Sequence, residues 1–426
     1  MPLAGSSKHS QETENREENL NMIPVAVIGT EGYAYKQLER IFFLNNCFDV
    51  VGVCSEPNRR EKGYQMCVER GIEVFDDVKS LLEAVQSRVK AVFVFTGIDS
   101  HYQYARQCLE QGFEVFLEKP PVPTIQQMDD LIELEEQTGR RVAVLFQYLY
   151  SGIVQTLKRR IVSGEFGQVR RVRSLAAWQR PDAYFRRNHW CGTVRTSCGE
   201  WVLDGTLNNP QAHVLSNSLY LAGSQADQMA YPLVVEAELY RVHEIESEDT
   251  SSMRIVCENG CVLIHNTTLC SASEVRSETV VECERATITY RNFNQAQIVF
   301  NDGRQAEFLE ESEDPRMEML KDVAFCFETG RPYKVPLSLC RPFTLCVNGA
   351  FDSSGEPADI DAAHVVKSRH NGLPITLIKD IVPIMQRAHS SCQLLSEIQV
   401  PWARRGRPIV MKEYSSFPGQ RVSWES

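Results

Sequence analysis

Closely spaced cysteine pairs are missing from this chain: fourteen cysteines lie singly among 426 residues and no CxxC occurs. That spacing excludes a zinc ribbon or a dithiol redox motif, and no metal site is expected. The nearest pair, Cys257 and Cys261, brackets Glu258-Asn259-Gly260, a turn signal between two β-rich runs, so reduced and buried thiols are expected. Long apolar runs are missing as well. Stretches such as Val92–Phe95 and Val142–Phe146 fall far short of the roughly 20 residues a membrane-spanning helix needs. Basic charge is not in excess, since 45 Lys and Arg face 56 Asp and Glu for a net charge of -11. With the basic residues spread along the chain, no face is suited to neutralising a run of phosphates, and nucleic acid is not an expected partner. Residues 1–22 lack the apolar segment of a secretory signal and read as a disordered leader on a cytoplasmic protein.

What is present is enough apolar material, 43% of residues, for more than one core. From Pro24 to about Gln147, short apolar runs alternate with longer helical stretches. The runs are Val25–Ile28, Val50–Cys54, Ala91–Phe95, Val115–Leu117 and Val142–Phe146. Each is apolar throughout, as strands covered on both faces are, so a doubly wound α/β domain is predicted over residues 23–147. Gly71 and Gly112 follow helical stretches as stops, and Ser100 opens one as an N-cap.

Beyond a helix at Ile153–Ser163, the pattern turns to alternating strands: Val169–Trp178, Val234–Val242, Met253–Cys257, Val262–Asn266, Thr287–Tyr290 and Gln297–Phe300. Asn259-Gly260 and Asp302-Gly303 punctuate them as hairpin turns. An inserted helix is expected over Asn208–Leu221, with two more at Arg316–Phe327 and Leu377–Glu397. The second domain, residues 148–400, is therefore predicted to be α+β with a mostly antiparallel sheet, followed by a tail at 401–426.

The first strand runs into Gly29-Thr30-Glu31-Gly32-Tyr33-Ala34, where a dinucleotide fold sets a pyrophosphate against a helix N-terminus. Of the G-x-G-x-x-G pattern only Gly29 is kept. Ala34 is a tolerated variant, whereas Glu31 would place a carboxylate near phosphate. Ser55 and Glu56 end the second strand, where the ribose hydroxyls are read. Arg59 and Arg60 beyond them suit a 2′-phosphate. NAD or NADP is the expected cofactor, tilted towards NADP by the arginines and away from it by Glu56. Two further strand ends, Thr96-Gly97-Ile98-Asp99-Ser100-His101 and Glu118-Lys119-Pro120, lie on the same crevice side.

The run Thr96, His101, Ala105, Gly112, Val115 and Glu118-Lys119-Pro120 resembles the glucose-fructose oxidoreductase/inositol dehydrogenase family, whose signature is Glu-Lys-Pro. Gln147, Gly164-Glu165-Phe166-Gly167, Trp178, Tyr184, Arg187-Asn188, Trp190, Trp201, Asp204, Asn208-Asn209, His213 and Gly223 extend the likeness over roughly residues 24–400. The resemblance implies a Rossmann domain, a second domain on a large open sheet, and a homodimer or homotetramer through that sheet. It implies hydride transfer between a nicotinamide and a sugar or polyol. Lys119 would contact both the nicotinamide ribose and substrate, with His213 as the proton-transfer group. Thr96, His101 and Glu118 would join the cofactor site. The family often carries Asp four residues before that His; here Asn209 stands there, and on a helix Asn209, His213 and Asn217 would share one face. Gln147, Tyr184, Arg187, Asn188, Trp190 and Trp201 are candidate substrate contacts. Two rival readings are a glycosidase whose cofactor cycles through oxidation, elimination and reduction, and a non-catalytic nucleotide-binding scaffold.

Overall fold

The computed structural model describes residues 22–44, 46–56, 60–309 and 314–419. Most of the expected leader (1–21), the end of the tail and Arg59 lie outside the described residues. The first domain is β1 (Ile23–Ile28), α1 (Tyr33–Phe43), β2 (Phe48–Cys54), α2 (Lys62–Glu69), β3 (Glu73–Phe75), α3 (Val78–Val85), β4 (Ala91–Val94), α4 (Ile98–Glu110), β5 (Glu114–Leu117), α5 (Ile125–Thr138) and β6 (Val142–Val144). The six strands are parallel in the order 3-2-1-4-5-6, so the order in which strands are added switches between β1 and β4. Every residue of β4 and β5 is buried, as the unbroken apolar runs require. Only the edge strand β3 escaped the sequence pattern, being three half-exposed residues long. Ser100 is not the N-cap of α4. Gly97 is, and the Ser100 hydroxyl turns back to the Gly97 carbonyl (3.0 Å) and to Thr96 Oγ1 (2.8 Å).

The second domain opens with a 3-10 turn (Gln147–Tyr150) and α6 (Gly152–Val162). There follow β7 (Val169–Gln179), α7 (Ala212–Ala222), β8 (Pro232–Arg241), β9 (Thr250–Cys257), β10 (Val262–Thr268), β11 (Cys270–Cys283), β12 (Ala286–Arg291), β13 (Gln295–Phe300) and β14 (Gln305–Leu309). The chain closes with α8 (Pro315–Thr329), α9 (Leu337–Ser354), β15 (Ala358–Asp359), β16 (Val365–His370), β17 (Leu373–Ile378), α10 (Ile381–Ser391) and β18 (Ile409–Val410). One large sheet runs β14-β13-β12-β11-β7-β10-β9-β8-β15, with β18 also on β8. Its pairs are antiparallel except β7 with β10 and β8 with β15. The helix expected at Leu377–Glu397 is shorter, because Leu377 and Ile378 finish the β16–β17 hairpin. All fourteen cysteines are free. No helix of the described residues is long and apolar enough to cross a membrane.

Helix α7 is buried on every side and packs on β7, β10 and β11 of the large sheet and on α6 and α9. Its first turn is held by Gln211, whose Nε2 donates to the carbonyls of Ala176 (3.3 Å) and Thr268 (3.0 Å) on neighbouring strands. At its far end Lys158 of α6, itself buried, donates from Nζ to the carbonyls of Tyr220, Gly223 and Gln228 at 2.6 to 2.9 Å. The first two belong to the helix C-terminus, where carbonyls lack intrahelical partners, and the third to the loop that follows.

The last third of the chain returns to the first domain. Val144 N donates to Val335 O (2.8 Å) and Ala143 bridges Pro336, so the β6 edge is covered. Phe327 and Tyr333 pack edge-on against Phe116 of β5, and Arg40 pairs with Asp314 at 2.8 Å. Asn348 of α9 accepts from Ile125 N and donates to Pro123 O (2.8 and 2.7 Å), fixing the start of α5.

Candidate active site

A cavity of about 820 Å³ lies where the carboxyl ends of β1, β4 and β5 face α7 and the large sheet. Crevices at that edge of a parallel sheet are where such folds take ligands, and the volume is near the top of the usual roughly 300–1,000 Å³. At one end is the turn Gly29–Ala34. Gly29 has φ +99°, and a Cβ there would come within 2.6 Å of the Phe95 carbonyl oxygen. Gly32 caps α1 at φ +63° with no atom within 4 Å of a built Cβ, so the helix N-terminus faces open space. That cradle fits a dinucleotide pyrophosphate.

Glu31, the residue that broke the glycine pattern, does not oppose a phosphate there. Its carboxylate accepts from the backbone N–H of Glu61 (3.0 Å), Gly63 (3.2 Å) and Tyr64 (2.8 Å) and so caps α2 from across the crevice. An anion at a helix N-terminus is stabilising. Restoring the consensus with Glu31→Gly is therefore expected to cost about 1–2 kcal/mol of stability and to leave NADH affinity no better. Thermal denaturation and fluorescence titration of the variant check both.

On the ribose side, Glu56 lines the cavity, whereas Ser55 lies behind its wall with its hydroxyl 2.7 Å from that of Thr30. Arg60, expected beside a phosphate, is instead ion-paired with Asp76 and stacked over Tyr64, 4.9 Å from the ring centre. His101 is also behind the wall. Its Nδ1 lies 2.8 Å from Pro120 O and its Nε2 3.2 Å from Thr96 O, so it ties two strand ends together instead of facing a ligand.

At the other end, Lys119 donates from Nζ to Asn209 O (2.9 Å) and Asn209 Oδ1 (3.1 Å). Asn209 Nδ2 in turn donates to Asp204 Oδ1 (2.7 Å), and the second oxygen of this buried acid accepts from Gly192 N (2.7 Å). A carboxyl group thus stands one side chain behind Asn209, its pKa raised by burial against the pull of the Gly192 N–H, Arg187, Asn209 and Lys119. Asn209 itself precedes α7, so the expected stripe of Asn209, His213 and Asn217 is broken. Asn209 turns to Lys119, while His213 and Asn217 share the helix face. The His213 ring is enclosed by Tyr148 (4.9 Å between centres), Phe146 and Phe293, and its Nδ1 has no hydrogen-bond partner among the described residues. Burial, and then the charges of Lys119 and Arg316, hold its pKa well below the usual 6.5. Burial likewise lowers Lys119, against the pull of Glu118 and Asp204, and pushes buried Glu118 up to about 7.

Thr96, Glu118, Gln147, Tyr184, Arg187, Asn188 and Trp190 line the same cavity. Trp201 does not, because its ring packs against Phe417 (4.9 Å) with the Arg195 guanidinium 3.5 Å from its centre. The wall also contains residues that the sequence did not single out for it: Arg180, Glu274, Arg276, Phe293 and Arg316, together with Trp178. They come from the end of β7, from β11, from the turn between β12 and β13 and from α8, and the pairing of β11 with β7 and β12 brings the sheet residues together.

A parallel six-stranded nucleotide-binding sheet facing a buried Lys–Asn–Asp chain and a histidine on a second, open-sheet domain defines the class as a two-domain Rossmann protein. Residues 23–146 match the model of the oxidoreductase family with an NAD-binding Rossmann fold. The match covers the first domain, which is thus similar to the NAD-binding domain of that oxidoreductase family. Among curated relatives, the uncharacterized oxidoreductase YhhX of Escherichia coli is 37% identical over 95 residues, which are 22% of this chain and 28% of that protein. Inositol 2-dehydrogenase of Rubrobacter xylanophilus is 29% identical over 146 residues, 34% of this chain and 41% of that one. The chain thus spans less than half the length of either relative. In fold it is similar to an inositol dehydrogenase homolog of Azotobacter vinelandii solved with NADH and myo-inositol. That likeness has a TM-score of 0.65 at 17% identity and covers 78% of this chain and 96% of that one.

Proposed function

We propose that this protein is a nicotinamide-dependent dehydrogenase acting on a hydroxyl or carbonyl carbon of a sugar or polyol. The observation that carries the reading is that Lys119, Asn209 and His213 converge on one end of a cavity whose other end is the glycine turn of a dinucleotide fold. Relatives named as inositol dehydrogenases, and a structural neighbour solved with NADH and myo-inositol, support it. A bound nicotinamide supplies the hydride chemistry. His213, kept neutral by burial and by Lys119, takes the proton from the reacting hydroxyl. The Lys119 ammonium, aimed by its two bonds to Asn209, stabilises the negative charge that builds on that oxygen. Asp204 behind Asn209 supplies the carboxyl group that Asn209 itself lacks.

Between the two cofactors the reading favours NAD, reversing the tilt given by the arginines. Glu56 on the wall would repel a 2′-phosphate, and Arg60 is already engaged by Asp76. The proposal includes a cytoplasmic location and self-association through the second sheet. Helix α10 packs on the Leu175 side of that sheet and α7 on the Ala176 side, which leaves β12–β14 for a second copy.

The test is titration of the purified chain with NADH and NADPH by fluorescence, followed by an absorbance screen of sugars and polyols with the preferred cofactor. Tighter NADH binding and turnover of at least one hydroxyl substrate are expected. Binding of neither nucleotide, or binding with no turnover across the screen, would overturn the reading.

A further inference from the structure

On the side of the cavity built by the second sheet, three guanidinium groups stand together without carboxylate partners. Arg180, just past the end of β7, stacks over Trp178 and Tyr184, at 4.9 and 5.4 Å from the ring centres. Arg187 lies 3.8 Å from the same Tyr184 ring and 5.3 Å from Trp190. Arg276 in β11 lies 5.9 Å from the Phe293 ring, and its carbonyl accepts the Trp178 indole N–H at 2.6 Å. Trp178 and Tyr184 thus link all three into one patch.

Their hydrogen bonds do not neutralise them. Arg180 Nη1 donates to Gln179 O (3.0 Å) and Arg187 Nη1 to Tyr184 O (2.8 Å), both main-chain acceptors. Among the described residues none of the three is ion-paired, whereas Arg173 and Arg254 of the same sheet each hold a glutamate. Glu274 is the one carboxylate on this part of the wall. In a chain with net charge -11, gathering unpaired cations on one wall is unfavourable unless an anion completes the set. A guanidinium stacked on an aromatic face keeps the N–H fork at its edge free, and that fork matches a carboxylate or a phosphate. The charge of Arg187 is felt at Lys119 and Asp204, so the patch belongs to the reacting end of the cavity and not to the glycine turn.

We propose that the substrate is an anionic sugar, whose oxyanion is held by Arg180, Arg187 and Arg276 while a ring hydroxyl reaches Lys119 and His213. This rests on the dehydrogenase reading of the same cavity. The shared chemistry is a carboxylate or phosphate on a hydroxylated ring, and the choice between them is made by experiment.

The measurement is steady-state kinetics of the full chain, saturated with its nicotinamide cofactor, on glucuronate, glucose 6-phosphate, glucose and myo-inositol. One of the two acids is expected to exceed both neutral compounds in kcat/KM by about tenfold or more, with the advantage shrinking as salt is added. Arg180→Gln and Arg276→Gln should each lower that acid-to-neutral ratio about tenfold. Arg276 is exposed, so its substitution leaves folding intact. A ratio near one, or a ratio untouched by both substitutions, overturns the proposal. If no compound turns over, tryptophan quenching of the NADH-loaded protein separates the two ideas. Quenching by either acid that is lost in the arginine variants keeps the anion subsite and removes the dehydrogenase reading. NADH binding with no response to either acid removes the anion subsite instead.

Discussion

Replacing His213 with alanine is expected to lower kcat by about 10²- to 10⁴-fold, the range a positioned general base contributes, while NADH binding is retained. The imidazole lies at the reacting end of the cavity and makes no hydrogen bond through Nδ1 among the described residues, so removing it leaves no described partner unpaired on that side. The pH profile gives a second readout. An ordinary imidazole base loses half its activity at its usual pKa of about 6.5. Here burial first, then Lys119 and Arg316, keep the ring neutral to well below that value. The wild-type rate should therefore stay flat as pH falls through 6.5, and its acid limb should appear only below. Lys119→Met removes one of the two cations and should move that limb upward. Glu118 in the same cavity is itself raised to about 7, so a wild-type limb at or above 6.5 that persists in Glu118→Gln would show that His213 is not the enclosed base described here.

Gly63→Ala is expected to be the most damaging single-methyl change at the cofactor end. A Cβ on Gly63 would fall 1.8 Å from the Thr30 carbonyl oxygen and 2.7 Å from its carbon. Main-chain atoms cannot swing aside as a side chain does. Relief requires drawing the start of α2 away from the glycine turn, which breaks the Glu31 bonds to Glu61, Gly63 and Tyr64. The expected cost is about 2–4 kcal/mol in urea unfolding, with NADH affinity at least tenfold weaker. Gly32→Ala is the comparison. It meets no atom within 4 Å and suffers only its positive φ, so it should lose about 1 kcal/mol.

The Rossmann half was legible because its strands are buried on both faces and carry uninterrupted apolar runs, and because the Glu-Lys-Pro turn sits at a strand end. The second half was legible only where strands alternate cleanly. Strand β11 was missed since its outward residues, such as Ser273, Glu274 and Arg276, read as a polar loop, and its pairing with β7 is repeatedly shifted in register. Helix α9 was missed because it is buried nearly all round and carries Pro342 inside, which removes both the helical period and the expectation of a helix. Lys119, Asn209 and His213 were reached through the family resemblance, and the fold brings them to one cavity. The meaning of Glu31 was not, since the helix it caps begins some thirty positions later. Trp201 was drawn into the substrate set by the family resemblance and its chemistry, and its aromatic partner Phe417 is supplied by the far end of the chain. Arg180 and Arg276 became neighbours only through sheet pairing.

The cover that residues 314–348 place over the first domain has a consequence for biosynthesis. A ribosome makes β1 to β6 long before it makes Val335, Pro336 and Asn348, which pair the β6 edge and anchor α5. Until then the nascent Rossmann sheet carries an open hydrogen-bonding edge, and Phe116 lacks Phe327 and Tyr333. An unpaired apolar edge is the feature through which chains associate wrongly. Completion of the first domain therefore waits for the last third of the chain, and a chain truncated after the sixth strand should engage chaperones or aggregate instead of behaving as an autonomous nucleotide-binding unit.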